Sequence, residues 1–294
     1  MTVETVAVTG GNGKLGEAIL AEFADHGYET VNVARGKRRE AVSDEFRSTD
    51  LLDAGEVYGS LARSDADAVV HMGTIPGPTN HPGFRTYESN VVSSYHVLEA
   101  ATELGLESVV LASSINAMGA AYQAEPTEIE YLPVDEDHPV TPRDPYAVSK
   151  HALEVTADGF GRLADAPPIS SLRYPWVATS EELRETFVEA DRTLEGIDDA
   201  WHHTTRDVVF SYIHIEDAAS LARHAVEAAF DGHEVFWAVA GDTSMTVDSA
   251  TLAAEFYPDA EVRTPLSGTE TLISVEKAER LLGWVPERTW RDLE

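Results

Sequence analysis

The sequence predicts an α/β fold, a parallel, doubly wound sheet with a small C-terminal lobe. Three observations predict it. A strand, a glycine-rich turn and a helix follow one another at the start, between Thr5 and Phe23. Short β-branched runs then alternate with stretches whose apolar residues recur every three or four positions, the pattern of a sheet flanked by helices. Finally, 294 residues suffice for one large α/β unit or for a domain plus a smaller lobe.

The first strand is Thr5-Val6-Ala7-Val8, and the helix starting near Lys14 carries Ala18, Ile19, Leu20 and Phe23 at helical spacing. Between them, glycines stand at Gly10, Gly13 and Gly16. Such a turn bends tightly and lets backbone approach a ligand, and the N–H groups of the helix start suit a pyrophosphate. On that reading Gly10, Asn12, Gly13, Lys14, Leu15 and Gly16 hold a dinucleotide on a Rossmann-type sheet. The plain alternative is a structural turn. The second strand, Thr30 to Ala34, ends in Arg35-Gly36-Lys37-Arg38-Arg39. An acid here would bind the ribose 2′-OH of NAD. Four cations point instead to the 2′-phosphate of NADP, with Arg35 and Arg38 as contacts; NAD stays open, as does a solvated loop before a helix over 39–46.

Arg47 to Asp53 reads as a short strand and turn, with Asp50 and Leu51 placed to flank an adenine, and a helix runs to about Arg63. The next strand ends in His71-Met72-Gly73, with His71 either beside the cofactor or a hydrogen-bonded structural histidine. The proline-rich loop from Thr74 to Pro82 is expected to line a mouth. A helix from about Tyr87 to Leu104 carries Asn90 in its first turns, and its broad apolar surface fits burial against both the sheet and a second subunit. The strand Ser108–Ala112 leads into Ser113-Ser114-Ile115-Asn116, and 120–143 forms a long polar loop. Asp144-Pro145 then starts a helix with a capping carboxylate and a first-turn proline. Just inside it, Tyr146 and Lys150 share one helical face.

Composition narrows the function. There is no cysteine, which excludes disulfides, thiolate metal sites and cysteine nucleophiles. Acidic residues outnumber basic ones by 52 to 21, a net charge of −31. Nucleic acid, which needs a basic stripe, is an unlikely partner on these numbers. Such self-repulsion is relieved in molar salt, where the Debye length falls to ~3 Å, so a salt-rich cytoplasm is the expected setting. No apolar run is long enough for a bilayer, so no membrane partner is expected.

The three glycines, Ser114 after a later strand, and Tyr146-x-x-x-Lys150 together resemble the short-chain dehydrogenase/reductase superfamily. The chain length and Leu281-Leu282-Gly283-Trp284-Val285-Pro286 resemble its extended branch of nucleotide-sugar epimerases, dehydratases and sugar dehydrogenases. The resemblance implies Ser114, Tyr146 and Lys150 as the catalytic set, and a homodimer through the helices of Asn90 and Tyr146. A free tyrosine has a pKa near 10; a lysine ammonium at ~4–6 Å, with an oxidised nicotinamide, is expected to draw Tyr146 down and make it a base. Ser114 would hold the substrate oxygen, and Lys150 also the nicotinamide ribose.

Ile169 to Val177 resembles the branch's sixth strand and the loop meeting the nicotinamide, which places Tyr174 and Pro175 at the cofactor. Trp176 stands where nucleotide-sugar enzymes carry an asparagine, and no glycine-proline turn follows. These departures favour a free monosaccharide or sugar acid, oxidised at its anomeric hydroxyl to a lactone; the alternative is a nucleotide-sugar epimerase or dehydratase with tightly bound NAD. Substrate contacts are expected from Thr74, Ser114, Asn116, Tyr146, Trp176 and Arg173, with Arg173 or Arg206 as clamp for an anionic group and Tyr212 and His214 as further pocket candidates. Residues 181–196 read as an acidic helix and 197–207 as a loop with Trp201, His202 and His203, for which no metal is expected. A strand over 208–213, a helix over 218–229 capped by Asp217, and a last parallel strand over 234–240 follow. Residues 1–171, with 208–240 returning, form the expected core; 172–207 and 241–294 form the substrate lobe.

Overall fold

The alternation in the sequence becomes one seven-stranded parallel sheet. The computed structural model describes residues 3–122, 127–196 and 205–293. Its first half runs β1 (Thr5–Thr9), α1 (Lys14–Asp25), β2 (Glu29–Ala34), β3 (Glu45–Ser48), α2 (Ala54–Arg63), β4 (Ala68–His71), α3 (Gly83–Leu104) and β5 (Ser108–Ser114). The second half adds β6 (Tyr131–Leu132), α4 (Pro145–Gly161), β7 (Ile169–Tyr174), β8 (Val177–Ala178), α5 (Ser180–Leu183), β9 (Ile213–His214), α6 (Ile215–Glu227), β10 (His233–Trp237), α7 (Ser249–Phe256), β11 (Glu261–Val262) and α8 (Glu276–Leu282). Across the sheet the order is β10-β7-β5-β4-β1-β2-β3. The winding therefore reverses between β1 and β4, the switch point at which open α/β sheets bind ligands.

Strand side chains alternate between two apolar layers, as period-2 geometry requires. Val6, Val8, Val70 and Val110 pack on Ile19, Leu20 and Phe23 of α1 and Leu221 and Ala222 of α6. Ala7, Val69 and Val109 face the other way, onto Val57 and Leu61 of α2, Leu98 of α3 and Leu153 of α4. Burying each such side chain is worth about 1.5–3 kcal/mol, so a carboxylate at Val8 would break the layer. A third cluster joins Met118, Leu132, Phe210, Leu252 and Ile273, and a fourth gathers Phe187, Tyr212 and Trp290. Two short parallel pairings, β6 with β11 and β8 with β9, accompany them.

Several expected boundaries move, each for a local reason. No helix forms over 39–46, because the buried Glu40 carboxylate takes the N–H groups of Val42 and Ser43 and the Asn32 amide, side-chain bonds that compete with a helical ladder. Helix α3 starts at Gly83, four residues before Tyr87; a Cβ there would lie 2.6 Å from the Pro145 ring, so the glycine permits the packing of α3 on α4. The expected helix over 181–196 opens with a Thr179–Glu182 capping box but ends in a π-turn, Arg184–Val188. Arg192 beyond it turns back to the Ser244 carbonyl, 2.8 Å away. The strand expected over 208–213 shrinks to β9, preceded by a 3-10 turn at Arg206–Val208. His214, not Asp217, caps α6. Asp217 instead accepts the N–H groups of Glu287 and Arg288 and the Arg288 guanidinium, anchoring the C-terminal segment. The last strand closes at Trp237 rather than 240. Trp201, His202 and His203 lie outside the described residues.

Candidate active site

A cleft of about 1040 Å³ opens along the C-terminal ends of the strands. At the switch point Gly10 and Gly73 nearly touch: a Cβ on Gly10, whose φ is +71°, would lie 2.8 Å from the Gly73 Cα, and one on Gly16 would lie 2.4 Å from the Gly10 carbonyl. Only glycine fits both places. Gly13 caps α1 without a side-chain cap, and among the described residues no side chain bonds to the helix start; those N–H groups remain available to a ligand. Gly10, Asn12, Gly13, Lys14, Leu15 and Gly16 all line this end of the cleft. Lys14 reaches across it, donating to the Val177 carbonyl at 2.8 Å and to Glu182 at 2.7 Å.

At the end of β2 the cleft is lined by Arg35, Gly36 and Arg39. The sequence pointed to Arg38, but that guanidinium turns to the Glu40 carboxylate, 3.1 Å away, and to the Ser43 carbonyl. Burial would raise the Glu40 pKa; bonds from Asn32, Ser43 and Val42 overrule it and hold the carboxylate at about 2. Asn12 ties the glycine turn to the same loop, accepting from the Arg39 N–H at 3.0 Å and donating to the Lys37 carbonyl at 3.1 Å. Leu51 lines the cleft beside them. Asp50 does not: it is exposed and accepts from the Leu52 N–H.

Ser114, Tyr146 and Lys150, distant in sequence, converge in the middle of the cleft. The Asp144 carboxylate caps α4 by accepting from the N–H groups of Tyr146 and Ala147, which fixes the phenol at the first turn. Lys150, one turn on, has its ammonium 5.6 Å from the Tyr146 ring centre. It donates to the Thr74 hydroxyl at 2.9 Å and the Ala112 carbonyl at 2.6 Å. Ser114 donates to the side-chain amide oxygen of Asn116 at 2.9 Å and pulls the Tyr146 pKa down through a hydrogen bond. The expected net lowering of Tyr146 is nevertheless reversed. Burial pushes it up to about 12, and the charges of Tyr122 and Asp144 push the same way. Burial also drives Lys150 down to about 7, so near neutrality only about half of the lysine carries a charge to lend the phenol.

Met72, Gly73 and Thr74 follow β4 in the lining; Tyr174 ends β7, and Pro175 and Trp176 follow it. Asn116 and Val208 line the same end. Trp176 is held edge-on by Phe187, ring centres 5.7 Å apart. Six other expected contacts do not reach the cleft. His71 is fully buried between the Thr9 and Ser93 hydroxyls, at 2.7 and 3.2 Å, and burial and then Lys150 drive its pKa to about 3; it is the structural histidine. Asn90 grips the backbone of Ile75 and the Ser149 hydroxyl, which steadies the Thr74 loop against α4. Arg173 is buried in a two-pronged pair with Glu154, both bonds 2.9 Å, and cannot clamp a substrate. Arg206 pairs with Asp207 at 3.5 Å, outside the lining. Tyr212 and His214 also lie outside it, bonded to Asp242 and Ser180. Sequence reasoning missed Tyr122, which lines the cleft; nothing marks one aromatic in a polar loop. It also missed Arg39, although the cation cluster signalled it.

Residues 6–237 match the NAD dependent epimerase/dehydratase family. The chain belongs to that family. Among curated relatives, a UDP-glucose 4-epimerase of Corynebacterium glutamicum is 30% identical over 96% of this chain and 91% of its own length. An L-arabinose 1-dehydrogenase (NAD(P)(+)) of Haloferax volcanii is 26% identical over 67% of this chain and 76% of its own. Among solved structures, the uronate dehydrogenase from Agrobacterium tumefaciens superposes with a TM-score of 0.67 at 18% identity, covering 99% of this chain and 87% of that one. As a member of the family the protein is an enzyme, and the seven-stranded sheet is that of its structural neighbours.

Proposed function

We propose that the protein oxidises the anomeric hydroxyl of a free monosaccharide or sugar acid to the lactone, with Tyr146 as base and NADP or NAD as acceptor. The cradle fits a dinucleotide: among the described residues no side chain bonds to the start of α1, and glycine backbones close on each other beside it. When bound, the nicotinamide supplies the acceptor for the hydride, the C1 hydrogen with its electron pair. Tyr146 takes the hydroxyl proton, so the balance is lactone, reduced nicotinamide and one proton. Ser114 donates to the reacting oxygen and keeps it in line. Thr74 and the Ala112 carbonyl hold the Lys150 ammonium beside the phenol, and an oxidised cofactor adds the positive charge that Tyr146 lacks in the chain alone. Arg35 and Arg39 at the end of β2 favour NADP. Of the segments expected to form a substrate lobe, Pro175, Trp176 and Val177 reach the cleft, and Phe84, Tyr95 and Val155, exposed on α3 and α4, offer the face of a homodimer.

One observation carries the choice of a free sugar. Trp176, locked against Phe187 at the cleft wall, occupies the position of the asparagine typical of nucleotide-sugar enzymes. The competing reading, a UDP-sugar epimerase with retained NAD, is favoured by the 30% identity to the Corynebacterium glutamicum epimerase. A panel of aldoses, uronates and UDP-sugars with each cofactor separates them. Net accumulation of reduced nicotinamide with a free sugar is expected, falling at least ~10³-fold in Tyr146→Phe. Interconversion of UDP-sugars without net reduction would replace the proposal by its competitor.

A further inference from the structure

We infer that the substrate is an uncharged sugar and that carboxylated and phosphorylated sugars are rejected; the inference rests on the dehydrogenase reading above. The cations of the cleft are segregated. Lys14, Arg35 and Arg39 belong to the glycine turn and the end of β2, and Lys150 is held by Thr74 and the Ala112 carbonyl. Around Tyr146 the wall is Ser114, Asn116, Tyr122, Trp176 and Val208. These are hydroxyls, an amide, rings and an apolar side chain; the one cation of the lining beside the phenol is Lys150, whose ammonium lies 5.6 Å from the Tyr146 ring centre and is already shared between Thr74 and the Ala112 carbonyl.

Neither arginine that the sequence offered as a clamp lines the cleft. Arg173 is 3% exposed and bonded through two nitrogens to Glu154. Arg206 pairs with Asp207 away from the lining. The segments 123–126 and 197–204 contain no lysine or arginine, only His202 and His203 as groups that can charge positively. A carboxylate stands at this end as well: Asp144 caps α4 through the N–H groups of Tyr146 and Ala147. An anion leaving water for such a wall finds no cation but Lys150, which is already bonded to Thr74 and the Ala112 carbonyl, and a net −31 opposes its approach. Sugar hydroxyls are served well, since serine and tyrosine hydroxyls and an amide both donate and accept. The ring faces of Trp176 and Tyr122 suit the C–H side of a pyranose or furanose. A sugar diphosphate meets the same obstacle as a uronate.

The test compares matched pairs, glucose with glucuronate and glucose 6-phosphate, galactose with galacturonate, arabinose alongside, in 2 M KCl with both cofactors. The salt screens the global charge, so the ratio reads the site itself. The neutral member is expected to lead in kcat/KM by about 100-fold. A lead of about tenfold or more supports the inference. A smaller lead, or a faster uronate or phosphate, overturns it and leaves the dehydrogenase reading standing. Oxidation of no free sugar overturns both. Arg206→Ala is expected to leave aldose kcat/KM within about twofold; a loss confined to an acidic sugar makes Arg206 a clamp and overturns the inference.

Discussion

Lys150 is the residue at which stability and chemistry oppose each other. Its ammonium is fully buried and its pKa falls from 10.5 to about 7 because burial disfavours the charge. At about 1.4 kcal/mol per pH unit the folded chain carries a penalty of roughly 3–5 kcal/mol. The sign follows from linkage. The unfolded lysine keeps its proton up to about 10.5, so the penalty is complete below pH 7 and fades as pH rises from 7 toward 10.5. Lys150→Met removes the charge but strands the Ala112 carbonyl, which offsets part of the gain. The variant is expected to lose turnover yet melt about 2–6 °C higher at pH 6, with a smaller gain at pH 9.5, as calorimetry at the two pH values will read. Arg39 poses a simpler question. Its guanidinium lines the cleft while Arg38 is tied to Glu40. Arg39→Ser is expected to raise the KM for NADP about tenfold with little effect on NAD, and Arg38→Ser to spare the ratio. Equal losses for both cofactors in Arg39→Ser would remove the 2′-phosphate assignment.

At the scale of elements, helix α4 holds the site together, and the residue that caps it sets both geometry and charge. One Asp144 oxygen accepts two N–H groups, including that of Tyr146, while its charge raises the Tyr146 pKa. Asparagine caps a helix about as well as aspartate, so Asp144→Asn keeps the cap and removes the charge. The basic limb of the kcat/KM–pH profile is then expected to move to lower pH, whereas Asp144→Ala costs about 1 kcal/mol of stability. An unmoved limb in the asparagine variant would separate Tyr146 from that limb. This helix was legible in the sequence because its cap, proline and Tyr-x-x-x-Lys spacing are all local, and the valine strands were legible for the same reason. What the sequence hid depends on partners elsewhere along the chain. Arg173 looked like a free clamp because Glu154, nineteen positions away, is the group that holds it. The loop after β2 looked helical because the fold-back of Glu40 onto Asn32 of β2, only eight residues away, leaves no mark in apolar spacing. Asp217 looked like a cap because the segment it anchors lies seventy residues on.

For the whole molecule, the excess of acid is the dominant unspent force. Fifty-two acidic side chains face 21 basic ones, and among the described residues many of the cations are already paired, as Lys14, Arg173, Arg223, Lys277 and Arg288 are. The unpaired remainder repels across the surface. Folding brings those charges closer together, so the repulsion weighs more on the folded chain than on the unfolded one. Screening removes it in a characteristic range, because the Debye length falls from about 10 Å at 0.1 M to about 3 Å at 1 M and changes little beyond. Melting in KCl should therefore climb steeply up to about 1 M and flatten above it. NaCl at equal ionic strength should trace the same curve, since screening depends on ionic strength rather than on the salt. A chain stabilised instead by solute exclusion keeps gaining above 1 M and responds more to sulfate than to chloride. A midpoint that is flat or falls between 0.05 and 1 M KCl would mean that the surface acids are already balanced within the fold, and the salt-rich setting would lose its physical basis.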